Sequence, residues 1–152
     1  MKLSCDVIAA LQGKTLATAE SCTGGSIGAE LTAVPGSSKV YKGGIISYTN
    51  DVKMNQLGVP AEILNREGAV SAPVAEAMAE GVRKALQTDV AVSVTGLAGP
   101  DGDEFGNPVG TVYIGYADKI KTVSKKCFFT GSRQEIRQKA TEEALKLIVK
   151  EQ

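Results

Sequence analysis

Short apolar runs bounded by glycine alternate along this chain with longer stretches whose apolar positions recur every three or four residues. The first spacing is that of buried strands and the second that of amphipathic helices. A first helix is predicted over about residues 3–12, ending at Gly13. Lys14 to Glu20 reads as a short strand, because Leu16 and Ala17 are flanked by β-branched threonines. Ser21-Cys22-Thr23-Gly24-Gly25 then turns the chain into a helix through about Val34, stopped by Pro35-Gly36. Val40 to Tyr48, with Ile45-Ile46 after two glycines, has the pattern of a buried strand, and Thr49 or Asn50 caps a short helix that stops at Gly58.

Farther on, Ser71 is expected to cap a helix with Pro73 in its first turn and Val74, Met78, Val82 and Leu86 along one face. The continuous apolar run Val90 to Val94 marks a central strand covered on both sides. A glycine-rich loop from Gly96 to Gly102 follows. Val109 to Ala117 and Ile120 to Phe129 predict an antiparallel pair turning at Asp118-Lys119. Ser132-Arg133-Gln134-Glu135 is a capping box that opens a last helix burying Ile136, Ala140, Ala144, Leu147 and Ile148. Helices separate the early strands while the late strands form a hairpin. That order predicts an α/β fold, a three-layer α/β/α sandwich with a mixed parallel/antiparallel sheet.

Composition narrows the chemistry. The chain has 152 residues and no histidine, which excludes Ser-His-Asp and Cys-His schemes and imidazole-bound zinc. Acid–base work must fall to Lys, Tyr, Asp, Glu or Cys. Cys5, Cys22 and Cys127 cannot all pair and fit no metal spacing, and no apolar stretch is long enough to span a membrane. Met1 to Asp6 shows no secretory leader. Reduced thiols in the cytoplasm are the expectation, with Cys5 and Cys127 in the core. Formal net charge is zero, yet residues 1–118 carry 8 basic against 13 acidic side chains and residues 119–152 carry 9 against 4. That basic segment is too dilute for a nucleic-acid binder; it is either solvated lysine or charge facing a small anion.

Three segments hold candidate chemistry. Glu20-Ser21-Cys22-Thr23-Gly24-Gly25 places small polar residues between a strand end and a helix start, where backbone N–H groups bind anions or a developing oxyanion. The same serine and threonine would also serve as plain helix caps. Ser21, lacking imidazole, needs a lysine, and no S-x-x-K spacing occurs in the chain. Lys53, in the first turn of a helix and partly buried, would have its pKa lowered toward the range of a useful base. Spacing alone does not choose it over Lys39 or Lys42. Cys22 is a rival nucleophile whose pKa a helix N-terminus would depress. The loop Thr95-Gly96-Leu97-Ala98-Gly99-Pro100-Asp101-Gly102 lies where α/β sheets bind ligands, without matching a Walker loop or a dinucleotide fingerprint. Arg133 and Arg137 stand in the first turns of the last helix, where cations are misplaced unless an anion is close.

Six ordered motifs then carry a family resemblance. They are Ala19 to Gly25, Gly44 to Lys53, Gly68 to Ser71, Thr95 to Gly102, Pro108 to Val112 and Phe129 to Arg133. Together they resemble, over essentially the whole chain, the stand-alone form of the CinA C-terminal domain family, the nicotinamide mononucleotide deamidases. Larger CinA proteins carry an additional N-terminal molybdopterin-binding-like domain; residues 1–152 are expected to form one amidohydrolase domain. The resemblance implies hydrolysis of nicotinamide mononucleotide to nicotinate mononucleotide and ammonia, in NAD recycling. It maps the catalytic set onto Ser21, Tyr48 and Lys53. Substrate contacts are expected from Glu20, Cys22, Thr23, Gly24 and Gly25 of the elbow, from Thr95, Gly96 and Gly99 of the second loop, and from Arg133 and Arg137 at the phosphate. Where the family often has an acid before its arginine, this chain has Ser132. No cofactor, metal, nucleic-acid or membrane partner is expected, and a homo-oligomer, in the first instance a dimer, is. A non-catalytic nucleotide- or phosphate-binding regulatory module and a cysteine amidase built on Cys22 are the competing readings.

Overall fold

Strand β1 (Leu16–Glu20) is buried at every position, and the rest of the molecule is arranged around it. The computed structural model describes residues 2–152. β1 pairs in parallel with β2 (Tyr41–Ile46) on one side and with β3 (Val90–Gly96) on the other. β4 (Thr111–Ala117) runs antiparallel to β3, and β5 (Thr122–Phe128) antiparallel to β4. The sheet order is β2-β1-β3-β4-β5, so the Val90 to Val94 run is indeed the central strand.

Alternation within each strand builds a core on each face of the sheet. Leu16, Val90, Val92, Val94, Val112 and Ile114 point to one side, where α1 (Lys2–Ala10), α2 (Ser26–Thr32) and α6 (Arg133–Lys150) cover them. Ala17, Ala19 and Ala91 point to the other, under α5 (Ala72–Leu86), with α3 (Asn50–Leu57) and α4 (Ala61–Glu67) beside it. The result is the expected three-layer sandwich. Small residues on the second face let α5 approach closely. A Cβ on Gly115 would lie 2.3 Å from Ala75 O, and one on Gly81 only 2.0 Å from Leu57 O. Both glycines are therefore contact points between backbones.

Several local expectations change. The buried-strand pattern of residues 40–48 belongs to an edge strand, exposed at alternate positions, with Ile46 56% accessible. Ser71 is the N-cap residue of α5 as expected, but its hydroxyl donates to Gly68 O at 2.8 Å instead of capping the helix, whereas Thr49 and the Ser132–Glu135 box cap α3 and α6 with their side chains. Cys5 lies on the surface rather than in the core, while Cys127 is buried. Ile120 belongs to the turn and is 92% exposed. α4 and a 3-10 turn at Ser37–Lys39 are too short for periodicity to reveal.

The parallel register sets β1 and β2 ending level, with Glu20 opposite both Ile46 and Val94, and β3 running two residues farther to Gly96. The loops that follow, beginning at Ser21, Ser47 and Leu97, therefore converge at one end of the sheet.

Candidate active site

Ser21 leaves β1 without leaving the sheet, since its N–H donates to Val94 O at 3.0 Å. The chain then reverses, with the Gly24 N–H donating back to Ser21 O at 3.1 Å. Gly24 and Gly25 take φ of +60° and +108°, values that a side chain would strain. This is the predicted elbow. What stabilises it differs from expectation. Glu20 is 2% exposed and turns its carboxylate inward. Oε1 accepts from Thr23 Oγ1 at 2.7 Å, from Ile27 N at 2.9 Å and from Gly25 N at 3.2 Å. Oε2 accepts from Gly28 N at 3.0 Å. The chain thus supplies its own anion to the start of α2, and those donors are spent internally.

Lys53 comes from the first turns of α3. Its Nζ donates to Ser21 Oγ at 3.0 Å, to Ser47 O at 2.8 Å and to Tyr48 O at 3.3 Å. The residue is 1% exposed. Burial lowers its pKa from the usual 10.5 to about 8, because desolvation disfavours the ammonium. Ser47 brings the two strand ends together, its N–H donating to Glu20 O at 2.7 Å. Pairing of β1 with β2 is thus what places the lysine against the serine.

Cys22 is buried as well, and desolvation pushes its thiol up to about 11. The nearby Arg137 and Lys53 charges pull the other way without offsetting that. The depression expected from a helix N-terminus does not occur, and Cys22 is protonated at neutral pH, unlike a reactive cysteine.

Tyr48 is 57% exposed, and its two polar ends face different partners. Its carbonyl accepts from Lys53, and its hydroxyl accepts from Arg133 Nη2 at 3.1 Å. Arg133 also donates to Gly99 O, so one guanidinium joins the β2 end to the glycine loop. Arg137, four residues on, turns elsewhere: Nε donates to Cys22 O at 2.9 Å and Nη2 to Thr23 O at 3.2 Å.

Together these groups wall a cleft of about 300 Å³, lined among others by Ser21, Cys22, Tyr48, Lys53, Thr95, Gly96, Gly99 and Arg133. Glu20, Thr23, Gly24, Gly25 and Arg137 stand behind that wall. Leu97, Ala98 and Asp101 of the glycine-rich loop also line it, as do Asn50, Ala69 and Val70, which were not expected to contact a substrate. Asn50 was recoverable, because the first residue of α3 must sit beside a Lys53 that points back toward β2. Ala69 and Val70 lie in the Gly68–Ser71 motif, which carried no assigned role; they reach the cleft because Thr95 Oγ1 donates to Ala69 O at 2.8 Å. Asn50, Ala69, Val70 and Leu97 also border an adjoining chamber of about 510 Å³. Among the described residues no three His, Cys, Asp or Glu side chains are grouped as a metal site, and no helix is long and apolar enough to cross a membrane.

Fold and site define an α/β domain with a buried Ser–Lys pair in a cleft at the carboxyl ends of parallel strands. The family model described as the CinA C-terminal domain matches residues 2–152. A CinA-like protein of Gemmatimonas aurantiaca is 49% identical over 136 residues, covering 90% of this chain and 32% of that protein. The chain accordingly spans about a third of the length of the curated relatives it matches. The crystal structure of competence damage-inducible protein A from Klebsiella pneumoniae superposes with a TM-score of 0.95 at 35% identity, covering 98% of this chain and 94% of that one. The competence/damage inducible protein CihA of Agrobacterium tumefaciens gives 0.94 at 37% identity, covering 98% and 93%. This chain belongs to the CinA C-terminal domain family.

Proposed function

We propose that residues 1–152 form one amidohydrolase domain that converts nicotinamide mononucleotide to nicotinate mononucleotide and ammonia, in cytoplasmic NAD recycling. The observation that carries this reading is the 3.0 Å hydrogen bond between Lys53 Nζ and Ser21 Oγ in a buried setting. A serine beside a lysine whose pKa is about 8 is a nucleophile with its base. The family resemblance supplies the substrate.

Three acceptors surround Lys53 Nζ, and these match the three protons of the ammonium. Loss of one proton to solvent leaves an amine that can take the Ser21 proton. Ser21 Oγ then forms a bond to the carboxamide carbon, and the carbonyl electrons move onto oxygen. The Cys22 N–H, following the nucleophile on the cleft wall, is the natural donor to that oxyanion. The Lys53 ammonium returns its proton to the departing nitrogen, the C–N bond breaks and ammonia leaves. Water, deprotonated by the same lysine, resolves the acyl-enzyme. Arg133, with guanidinium donors beyond those on Tyr48 and Gly99, holds the substrate phosphate. Tyr48 orients Lys53 through its carbonyl and Arg133 through its hydroxyl. No resident cofactor is involved, and the working unit is a homo-oligomer.

Ammonia release from nicotinamide mononucleotide by the purified protein tests the reading. Ser21→Ala and Lys53→Ala are each expected to lower kcat by roughly 10³-fold or more, since members of a catalytic unit fail together. Cys22→Ser is expected to keep most of the rate. A dead Cys22→Ser beside an active Ser21→Ala would make this a cysteine amidase; binding without any ammonia from the parent would make it a regulatory module.

A further inference from the structure

Arg137 is half-buried behind the elbow, off the cleft wall, and both of its described bonds go to carbonyls of the segment that follows the nucleophile. Those bonds set backbone directions. A trans peptide is planar, so its C=O and N–H point opposite ways. The Thr23–Gly24 peptide gives its carbonyl to Arg137 Nη2 and, at its other end, its N–H to Ser21 O. The Ser21–Cys22 peptide, its carbonyl thus held inside the turn, must direct the Cys22 N–H outward, and Cys22 lines the cleft. Between them, the Cys22–Thr23 peptide has its carbonyl on Arg137 Nε. Ser26 also holds the Thr23 carbonyl, its N–H donating at 3.1 Å and its Oγ at 2.5 Å, but the Cys22 carbonyl between the two planes has Arg137 as its donor. The fit is close: a Cβ on Gly24 would lie 3.3 Å from Arg137 Nη2. From the opposite side Glu20 consumes the N–H groups of Gly25, Ile27 and Gly28.

We propose that Arg137 is a positioning residue for the reaction at Ser21, holding the elbow so that the Cys22 N–H stays aimed into the cleft as oxyanion donor. This rests on the amidohydrolase reading but assigns Arg137 to the transition state rather than to the phosphate. A displacement of about 1 Å in such a donor costs on the order of 10²-fold in rate.

The test compares the parent with Arg137→Ala and Arg137→Lys, on nicotinamide mononucleotide and on its riboside, which has no phosphate. The expected result for Arg137→Ala is a kcat lower by about 10²-fold, by the same factor on both compounds, with KM and the pH midpoint of kcat unchanged. Arg137→Lys, able to grip one carbonyl, is expected to recover part of the loss. A raised KM for the mononucleotide alone would make Arg137 a phosphate ligand and overturn the proposal. Acylation of Ser21 by p-nitrophenyl acetate, followed by mass spectrometry, reads the elbow without any amide hydrolysis. Slower acylation in the variants is expected there too, and equal rates in variants that melt cooperatively overturn the proposal. Slower acylation with no ammonia released by the parent would leave the positioning role standing while the deamidase reading fails. A parent whose Ser21 is not acylated at all overturns both. If Arg137→Ala does not fold, Arg137→Lys is judged by the same criteria.

Discussion

Lys53 concentrates the conflict between stability and function in one side chain. Its ammonium is fully buried, and its pKa falls from 10.5 to about 8 for that reason. Below about pH 8 both the folded and the unfolded chain carry the proton there. Between about 8 and 10.5 the unfolded chain binds more protons than the folded one, so stability rises with pH across that window. The same shift means that burying the charge costs about 3 kcal/mol at neutral pH. Lys53→Met should therefore be inactive, and in chemical denaturation at pH 7 its stability relative to the parent should exceed that at pH 10.5 by about that amount. A gap between the two proteins that is constant with pH would contradict the buried-ammonium account. Activity has the matching sign, since kcat should rise with pH through about 8 as the free amine forms. A kcat that is flat from pH 6 to 9 would remove Lys53 as the base.

At the scale of elements, α5 decides where the second wall of the cleft lies. Glycine inside a helix is intrinsically poorer than alanine by about 1 kcal/mol, so propensity alone predicts that Gly81→Ala stabilises. Packing predicts the reverse, because the new Cβ would lie 2.0 Å from the α3 carbonyl of Leu57. Backbone cannot swing aside as a side chain can, and overpacking costs about 1–3 kcal/mol. Gly81→Ala is thus expected to lose about 1–2 kcal/mol in denaturant unfolding, and to lower kcat because α3 carries Lys53. Neutral or increased stability would show that α3 can retreat from α5 freely. The elements themselves were readable where side chains repeat on one face. Of the α5 stripe, Val74, Met78 and Val82 are wholly buried and Leu86 partly so, and the α6 capping box is formed as predicted. Residues 40–48 are less buried than their pattern predicts, because apolar content does not distinguish an edge strand from a central one. That difference depends on which strands flank it.

Over the whole molecule, part of the positive charge of residues 119–152 is met within that segment. Lys121 pairs with Glu151, Lys125 and Lys146 with Glu143, and Lys126 lies over the Tyr113 ring. Arg133 and Arg137 are the two whose bonds run to the loops around the cleft. Arg133 joins the β2 end to the glycine loop from a third direction, so its loss should act on binding. Arg133→Ala is expected to raise KM for nicotinamide mononucleotide by roughly 10-fold, the cost of one charge-assisted contact of about 1.5 kcal/mol, with a much smaller effect on the riboside. Equal effects on both compounds would assign it to the shape of the cleft instead.

The sequence by itself determined the layers, the strand character of the central run, the elbow at Gly24-Gly25, and the exclusion of imidazole chemistry. Each of these follows from local periodicity, from backbone freedom or from composition, which neighbours in the chain already contain. It narrowed the base to a few lysines and left the family resemblance to single out Lys53. Only the tertiary structure decided that β1–β2 pairing puts Lys53 against Ser21, that burial keeps Cys22 protonated, that Glu20 fills the helix start meant for a ligand, and that two arginines one helical turn apart do different work. Those outcomes depend on groups up to 115 positions apart in the chain and on how much water each retains. Distance across the fold and desolvation are quantities that no local pattern of residues encodes.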